Sequence, residues 1–347
     1  MSWFSHLFEH AFKHSLKVFF QVLAFFLALS VVFAMLGTAA RQDKGPYKVN
    51  HYDQSLLPDH KGFIHDKKEG LPFILVLDIQ GVIGEKQLNK EQVFSKLQYA
   101  YEQFQGKAKP QALLLRINTP GGVSTDGHSM YRDLKDFKKK LNIPVFAFVD
   151  GLCTSAAFYL TSTCDKVYAT NLSLVGNIGA KIENYNAYEG MQKLGITYRS
   201  IEAGENKSAL HPFLPSKEED VQAFQVLVEQ AYQHLVALVV EGRPQLTKKT
   251  VVEGFGANIF TAVEAEHLGL IDGSDASYYG VLKELADQAG VLGDYRVIRL
   301  DNKVWDVPFI FQSLSNVGTQ SKVALEPTFS SVLQGLEHLK VNDFRLR

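Results

Sequence analysis

The chain has 347 residues, 46% of them apolar, enough for one catalytic-size domain with a substantial core plus appendages. Lysine and arginine total 36 against 37 aspartates and glutamates, and a formal charge of −1 gives no electrostatic case for nucleic acid or an anionic surface as partner. No CxxC, HExxH or histidine-rich cluster occurs, so neither a catalytic metal nor any other cofactor is expected. Cys153 and Cys164 are the only cysteines, and both lie in apolar stretches suited to buried thiols; a disulfide between them is neither required nor excluded.

The N-terminal segment WFSHLFEHAFKHSLK puts Trp3, Phe4, Leu7, Phe8, Phe12 and Leu16 near helical spacing. It reads equally as an interfacial lead-in or as a stub of the helix that follows. From Val18 to Leu36 there is no charge, and Gln21 and Ser30 are the only polar side chains. That run is long enough to cross a bilayer and longer than the apolar part of a cleaved signal peptide, so residues 1–41 are expected to form a retained membrane anchor. Lys13 and Lys17 precede the span and Arg41, Lys44 and Lys48 follow it, which leaves its orientation open. Residues 42–70 are polar, interrupted by Pro46 and Pro58, and read as a linker.

From Leu71 the texture changes. FILVLDI and ALLLRI are continuous apolar runs of strand length, separated by a helical pattern over Val93, Leu97, Ala100, Tyr101 and Phe104. A helix over GHSMYRDLKDFKKKL, a strand over PVFAFV, a helix from Ser155 and a short strand at KVYA continue the alternation. Strand-helix alternation predicts α/β layering with parallel strands. Farther on, Val221, Phe224, Val228, Ala231, Leu235 and Leu238 step by threes and fours behind an acidic first turn, predicting a long amphipathic helix. The domain closes near residue 300, and the tail 301–347 has no clear structural assignment.

Three local signals carry chemistry. RINTPGG, Arg116 to Gly122, follows a buried strand; its paired glycines permit a loop that aims backbone N–H groups at developing negative charge. VDGLCTSAAFYL brings a strand into Ser155 beside a helix start, where serine serves equally well as an ordinary helix cap. A serine nucleophile needs a base, and His128 and His211 have no obvious aspartate partner. A lysine can do that work, and Lys207 lies in the loop IEAGENKSALHPF after the strand-like TYRSI.

Taken in order, RINTPGG, CTSAAFYL, VGNIGA and EAGENKSAL resemble the motifs of the signal peptide peptidase A (protease IV) family, over about residues 71–290. The resemblance implies a crotonase/Clp-protease-like fold of repeated β-β-α units behind an N-terminal transmembrane helix, with 71–300 as the peptidase domain. It implies Ser155 as nucleophile and Lys207 as general base, Gly121, Gly122 and Ala156 as the oxyanion hole, and Asn177 as a substrate-binding position. It further implies a homo-oligomeric ring in which one protomer's lysine completes its neighbour's site, with signal-peptide remnants or unfolded apolar segments as substrates. By the same resemblance the protein is single-pass in a bacterial cytoplasmic membrane with its domain outside.

The chain departs from the family pattern at three points. Ala156-Ala157 replace two glycines after the nucleophile, Asn177 replaces a serine, and Thr119 stands for the serine before Pro-Gly-Gly. The two methyl groups would narrow a cleft they faced, which keeps a catalytically impaired membrane scaffold as one alternative. An acyl-CoA hydratase or isomerase on the same fold is another; it needs a catalytic carboxylate, and neither CTSAAFYL nor VGNIGA contains one.

Overall fold

The computed structural model describes residues 52–65, 70–103 and 109–302. The expected span at 18–36 and the tail from 303 lie outside these residues. The described chain is a mixed α/β structure on one sheet of eight strands: β1 Tyr52–Leu57, β2 Phe73–Gln80, β3 Pro110–Thr119, β4 Val145–Thr154, β5 Lys166–Ala169, β6 Leu174–Gly176, β7 Ile259–Thr261 and β8 Arg296–Asn302. Their order is β1-β8-β2-β3-β4-β6-β7, with β5 also on β4. Strand β4 divides its partners, pairing with β5 over Phe146–Val149 and with β6 over Leu152–Thr154. The pairings β8-β2-β3-β4-β5 and β4-β6 are parallel, as the alternation predicts, whereas β6 and β7 run antiparallel.

The apolar runs are continuous because both sheet faces are covered. One face carries Leu75, Leu77, Ile79, Leu113, Leu115 and Ile117. It packs against α1 Lys90–Gln103, α2 Ser124–Leu141, the short α3 Ala157–Thr161 and the C-terminal half of α5 Glu218–Gly242. The other face, with Ile74, Val76, Leu114, Phe146 and Phe148, is covered by Val281, Leu282, Leu285 and Ala286 of α7 Tyr278–Gln288. Beyond α7 that face ends in charges. Arg116 reaches Asp78 at 3.5 Å and Asp150 at 3.2 Å, and Arg299 reaches Asp78 at 3.7 Å.

Three expectations change. The stretch 42–70 contains β1, an edge strand next to β8 tied to it by Ser55 Oγ donating to Asp301, so the ordered domain starts before Leu71. TYRSI, read as strand-like, forms no strand. The long amphipathic helix exists as α5, but its stripe is graded: Leu235 and Leu238 are buried, Phe224, Val228 and Ala231 are half-buried, and Val221 is exposed, with Val226 and Leu227 exposed beside it. Among the described residues α5 is the one helix long and apolar enough to cross a membrane, yet its C-terminal half belongs to the domain core. The remaining helices are α4 Tyr188–Lys193 and α6 Ala262–His267, with a π-helical turn at Thr250–Phe255 ahead of β7.

Candidate active site

Ser155 follows the last residue of β4 and has φ of 56°, the left-handed region that a non-glycine side chain seldom occupies. It is not a helix cap: α3 starts at Ala157, its cap position is Ala156, and no side chain caps it. The backbone passes from strand through left-handed Ser155 into a five-residue helix. This sharp elbow presents the hydroxyl at the end of the sheet instead of within it.

The Pro-Gly-Gly loop lies directly against that elbow. A Cβ on Gly121 would stand 2.7 Å from Ser155 Cβ and 2.8 Å from the Ala156 nitrogen, and a Cβ on Gly122 would collide with the Ile83 carbonyl. Only glycine permits both approaches, and both residues have positive φ. The turn after β2 completes the packing. Ile83 N–H donates to Gly121 O at 2.8 Å, and Val123 N–H donates to Ile83 O at 2.8 Å.

These bonds settle which N–H groups are free. Gly121 N–H donates to Thr119 Oγ1 at 3.1 Å, so Gly121, expected as an oxyanion donor, is already engaged and serves as the close-packed spacer. Gly122 N–H and Ala156 N–H donate to no acceptor among the described residues. Each belongs to a peptide unit whose carbonyl is fixed on the opposite side: Gly121 O by Ile83 N–H, and Ser155 O by Phe158 N–H at 3.0 Å. Because a trans peptide points N–H and C=O in opposite directions, anchoring the carbonyl aims the N–H. Two such donors flanking a serine hydroxyl can hold the oxyanion of a tetrahedral intermediate.

Ala156 and Ala157 face inward. They are 2% and 0% exposed, and Gly127 at the start of α2 packs on Ala156 and Tyr159. Their methyl groups fill core and do not narrow the cleft. Asn177, at φ 52°, donates its N–H to Asn258 O at 2.6 Å, and its carboxamide makes no hydrogen bond among the described residues. Ser155 N–H donates to Gly176 O at 3.0 Å, so β6 carries Asn177 alongside the nucleophile's turn.

Sequence reasoning missed Asn118. Between Ile117 and Thr119 of β3 the pairing with β4 jumps from Val149 to Cys153, so β4 arches over one residue. The Asn118 carboxamide fills that arch, accepting from Leu152 N–H at 3.1 Å and occupying the space a side chain on Gly151 would need. The Asp-Gly pair before the serine was the available signal, since glycine inside a strand marks a bulge or close approach. The turn Gly81–Gly84 was also missed; its two glycines just after β2 mirror those after β3.

Lys207 stands apart. No residue from Lys181 to Glu219 is buried, and among the described residues the Lys207 side chain has no ion pair or hydrogen bond and no contact linking it to Ser155. It lies in a cleft of about 270 Å³ with Glu202, Asn206, Ser208, Leu214 and Asp220. The other candidate bases have partners of their own. His128 packs against His234 with ring centres 4.7 Å apart, and burial, then His234 and Arg132, hold it below the ordinary histidine range. His211 contacts Tyr198 Oη at 3.2 Å. Burial pushes Cys153 and Cys164 up to about 12, and both are free, buried thiols.

Residues 137–292 match the description of peptidase family S49, and that stretch holds both Ser155 and Lys207. That stretch, a little under half of the chain, is similar to a peptidase family S49 domain. It is 28% identical over 206 residues to a putative signal peptide peptidase SppA of Enterococcus faecium, covering 57% of this chain and 59% of that protein. It is 30% identical over 179 residues to a putative protease of Methanocaldococcus jannaschii (51% and 57% covered). It is 31% identical over 167 residues to a putative protease of Synechocystis (47% and 58%). The chain therefore spans under two thirds of the length of these relatives. The S49 match begins at Phe137, beyond the Pro-Gly-Gly loop, so the Gly122 half of the oxyanion geometry is an observation outside it.

Proposed function

We propose that this chain is a membrane-anchored serine endopeptidase of peptidase family S49 that cleaves signal-peptide remnants or other unfolded apolar segments through a Ser-Lys acyl-enzyme. The observation that carries the reading is the pair of unengaged N–H groups, Gly122 and Ala156, beside a serine on a left-handed elbow. Lys207, as the free amine, takes the Ser155 hydroxyl proton while Oγ bonds to the scissile carbonyl carbon. The oxyanion rests on the two N–H groups; the C–N bond then breaks and Lys207 returns the proton to the leaving amine. Water adds to the acyl carbon as Lys207 takes its proton, and the ester C–O bond breaks as Lys207 passes that proton to Oγ, restoring Ser155.

The divided pairing of β4 supports the finer assignment to the crotonase/Clp-protease arrangement. The exposed arm from Lys181 to Glu219, with Tyr185 at 84% and Ile201 at 96% exposure, supports a homo-oligomeric ring in which Lys207 enters a neighbour's site. The burial of the alanine methyls supports an open cleft over the scaffold alternative. The uncharged run Val18–Leu36 supports the anchor, and placement of the domain outside a bacterial cytoplasmic membrane follows the family resemblance.

The test uses the full-length chain in detergent with a fluorogenic apolar peptide. Ser155→Ala and Lys207→Ala are each expected to abolish hydrolysis. Mixing the two inactive variants under subunit exchange should restore about a quarter of the wild-type rate, because each shared site draws one residue from each neighbour. No recovery in mixed oligomers would place both residues in one protomer, and full activity in either variant would sink the dyad.

A further inference from the structure

We propose that Thr119 is a positioning residue for the oxyanion hole: its buried hydroxyl holds the Gly121 peptide so that Gly122 N–H faces the reacting carbonyl. The proposal rests on the peptidase reading above. Thr119 is the last residue of β3 and is 0% exposed, a costly place for a hydroxyl without a partner. Its partner is the loop itself. Gly121 N–H donates to Thr119 Oγ1 at 3.1 Å, and the hydroxyl lies 3.4 Å from Gly121 O.

The bond spans Pro120, which has no N–H of its own, so Thr119 makes the first polar contact available to the loop after the strand ends. Gly121 is then held at two points, by Thr119 through its N–H and by Ile83 N–H through its C=O. With both fixed, Gly121 can rotate little in either φ or ψ, and the direction of the next N–H, that of Gly122, is set. The arrangement has a second effect. By occupying Gly121 N–H, Thr119 keeps a competing donor away from the oxyanion, leaving Gly122 and Ala156 as the pair. Removing the hydroxyl would free the loop to turn, with Gly121 N–H seeking a new acceptor in the cleft.

The prediction separates positioning from mere stability, because an oxyanion donor acts on the transition state and not on the bound peptide. In the full-length protein, Thr119→Val keeps the side-chain shape and removes the acceptor, whereas Thr119→Ser keeps the acceptor. Thr119→Val should lower kcat about tenfold to a hundredfold with KM nearly unchanged, a fraction of what loss of a whole oxyanion donor costs. It should weaken a peptide-aldehyde inhibitor in parallel. Thr119→Ser should stay within about threefold of wild type. Hydrogen exchange over Pro120–Val123 reads the brace without turnover: exchange should quicken in Thr119→Val and not in Thr119→Ser. Unchanged exchange in Thr119→Val overturns the brace whether or not the enzyme turns over. An equal kcat loss in both variants also overturns it. An inactive wild type, by contrast, strikes at the peptidase reading, and the exchange result still decides the brace.

Discussion

At residue scale the elbow at Ser155 stores strain in the folded chain. A non-glycine residue in the left-handed region costs on the order of 1 kcal/mol, and nothing in the packing requires a side chain there for stability. Ser155→Gly should therefore be more stable than Ser155→Ala by about 1 kcal/mol, although both lack the nucleophile. Denaturant midpoints of the two proteins would show the difference; equal midpoints would mean the elbow is relaxed. The serine was legible in the sequence because a strand ran into it and small residues followed. The division of labour between Gly121 and Gly122 was not, since both are glycines with positive φ. What distinguishes them is the buried Thr119 hydroxyl, which claims one N–H and leaves the other. The alanines illustrate the same limit: a small side chain after a nucleophile reads as open space, but these two fill the core beneath α2.

At the scale of elements, periodicity read β2, β3 and β4 well, because each is buried on both faces and leaves an unbroken apolar run. It missed β1, whose YDQSLL mixes exposed polar residues into an edge strand, and β7, three residues long. Helix α5 shows what periodicity cannot report. An apolar stripe says that a face seeks burial, but not whether its partner is the same chain. Leu235 lies in the core, and Leu235→Ala should cost about 2–4 kcal/mol in unfolding free energy. Leu227 is exposed, and Leu227→Ala should change unfolding by less than about 0.5 kcal/mol. If the exposed face of α5 that holds Leu227 meets a second copy, Leu227→Ala will instead weaken assembly in sedimentation. Unaltered assembly would remove that face from the interface.

At the scale of the whole molecule, the chain enters the domain through β1 and the loop behind it, and that entry is secured by one carboxylate. Asp59 is 1% exposed and accepts from Lys61 N–H at 2.8 Å, Phe63 N–H at 3.0 Å and the His65 ring at 2.8 Å. Burial alone would raise its pKa, but the His65 contact and the two backbone donors outweigh this and hold it below the usual 3.8. A depressed carboxylate stabilises the fold above its unfolded pKa and loses that contribution as pH falls through the folded value. Asp59→Asn should cost about 1–2 kcal/mol near neutral pH, and the gap to wild type should close as pH drops below about 4. A gap that persists undiminished at pH 2 would mean the charge is not what holds the loop.

The position of β1 also sets a leash. On the proposal that Val18–Leu36 spans a bilayer, fifteen residues would separate the membrane from Tyr52, and a fully stretched chain would reach roughly 55 Å from Leu36 to Tyr52. Had order begun at Leu71, the reach would have been about twice as great. On that proposal the shorter leash would hold the domain in the layer of water next to the lipid, within reach of segments leaving the membrane.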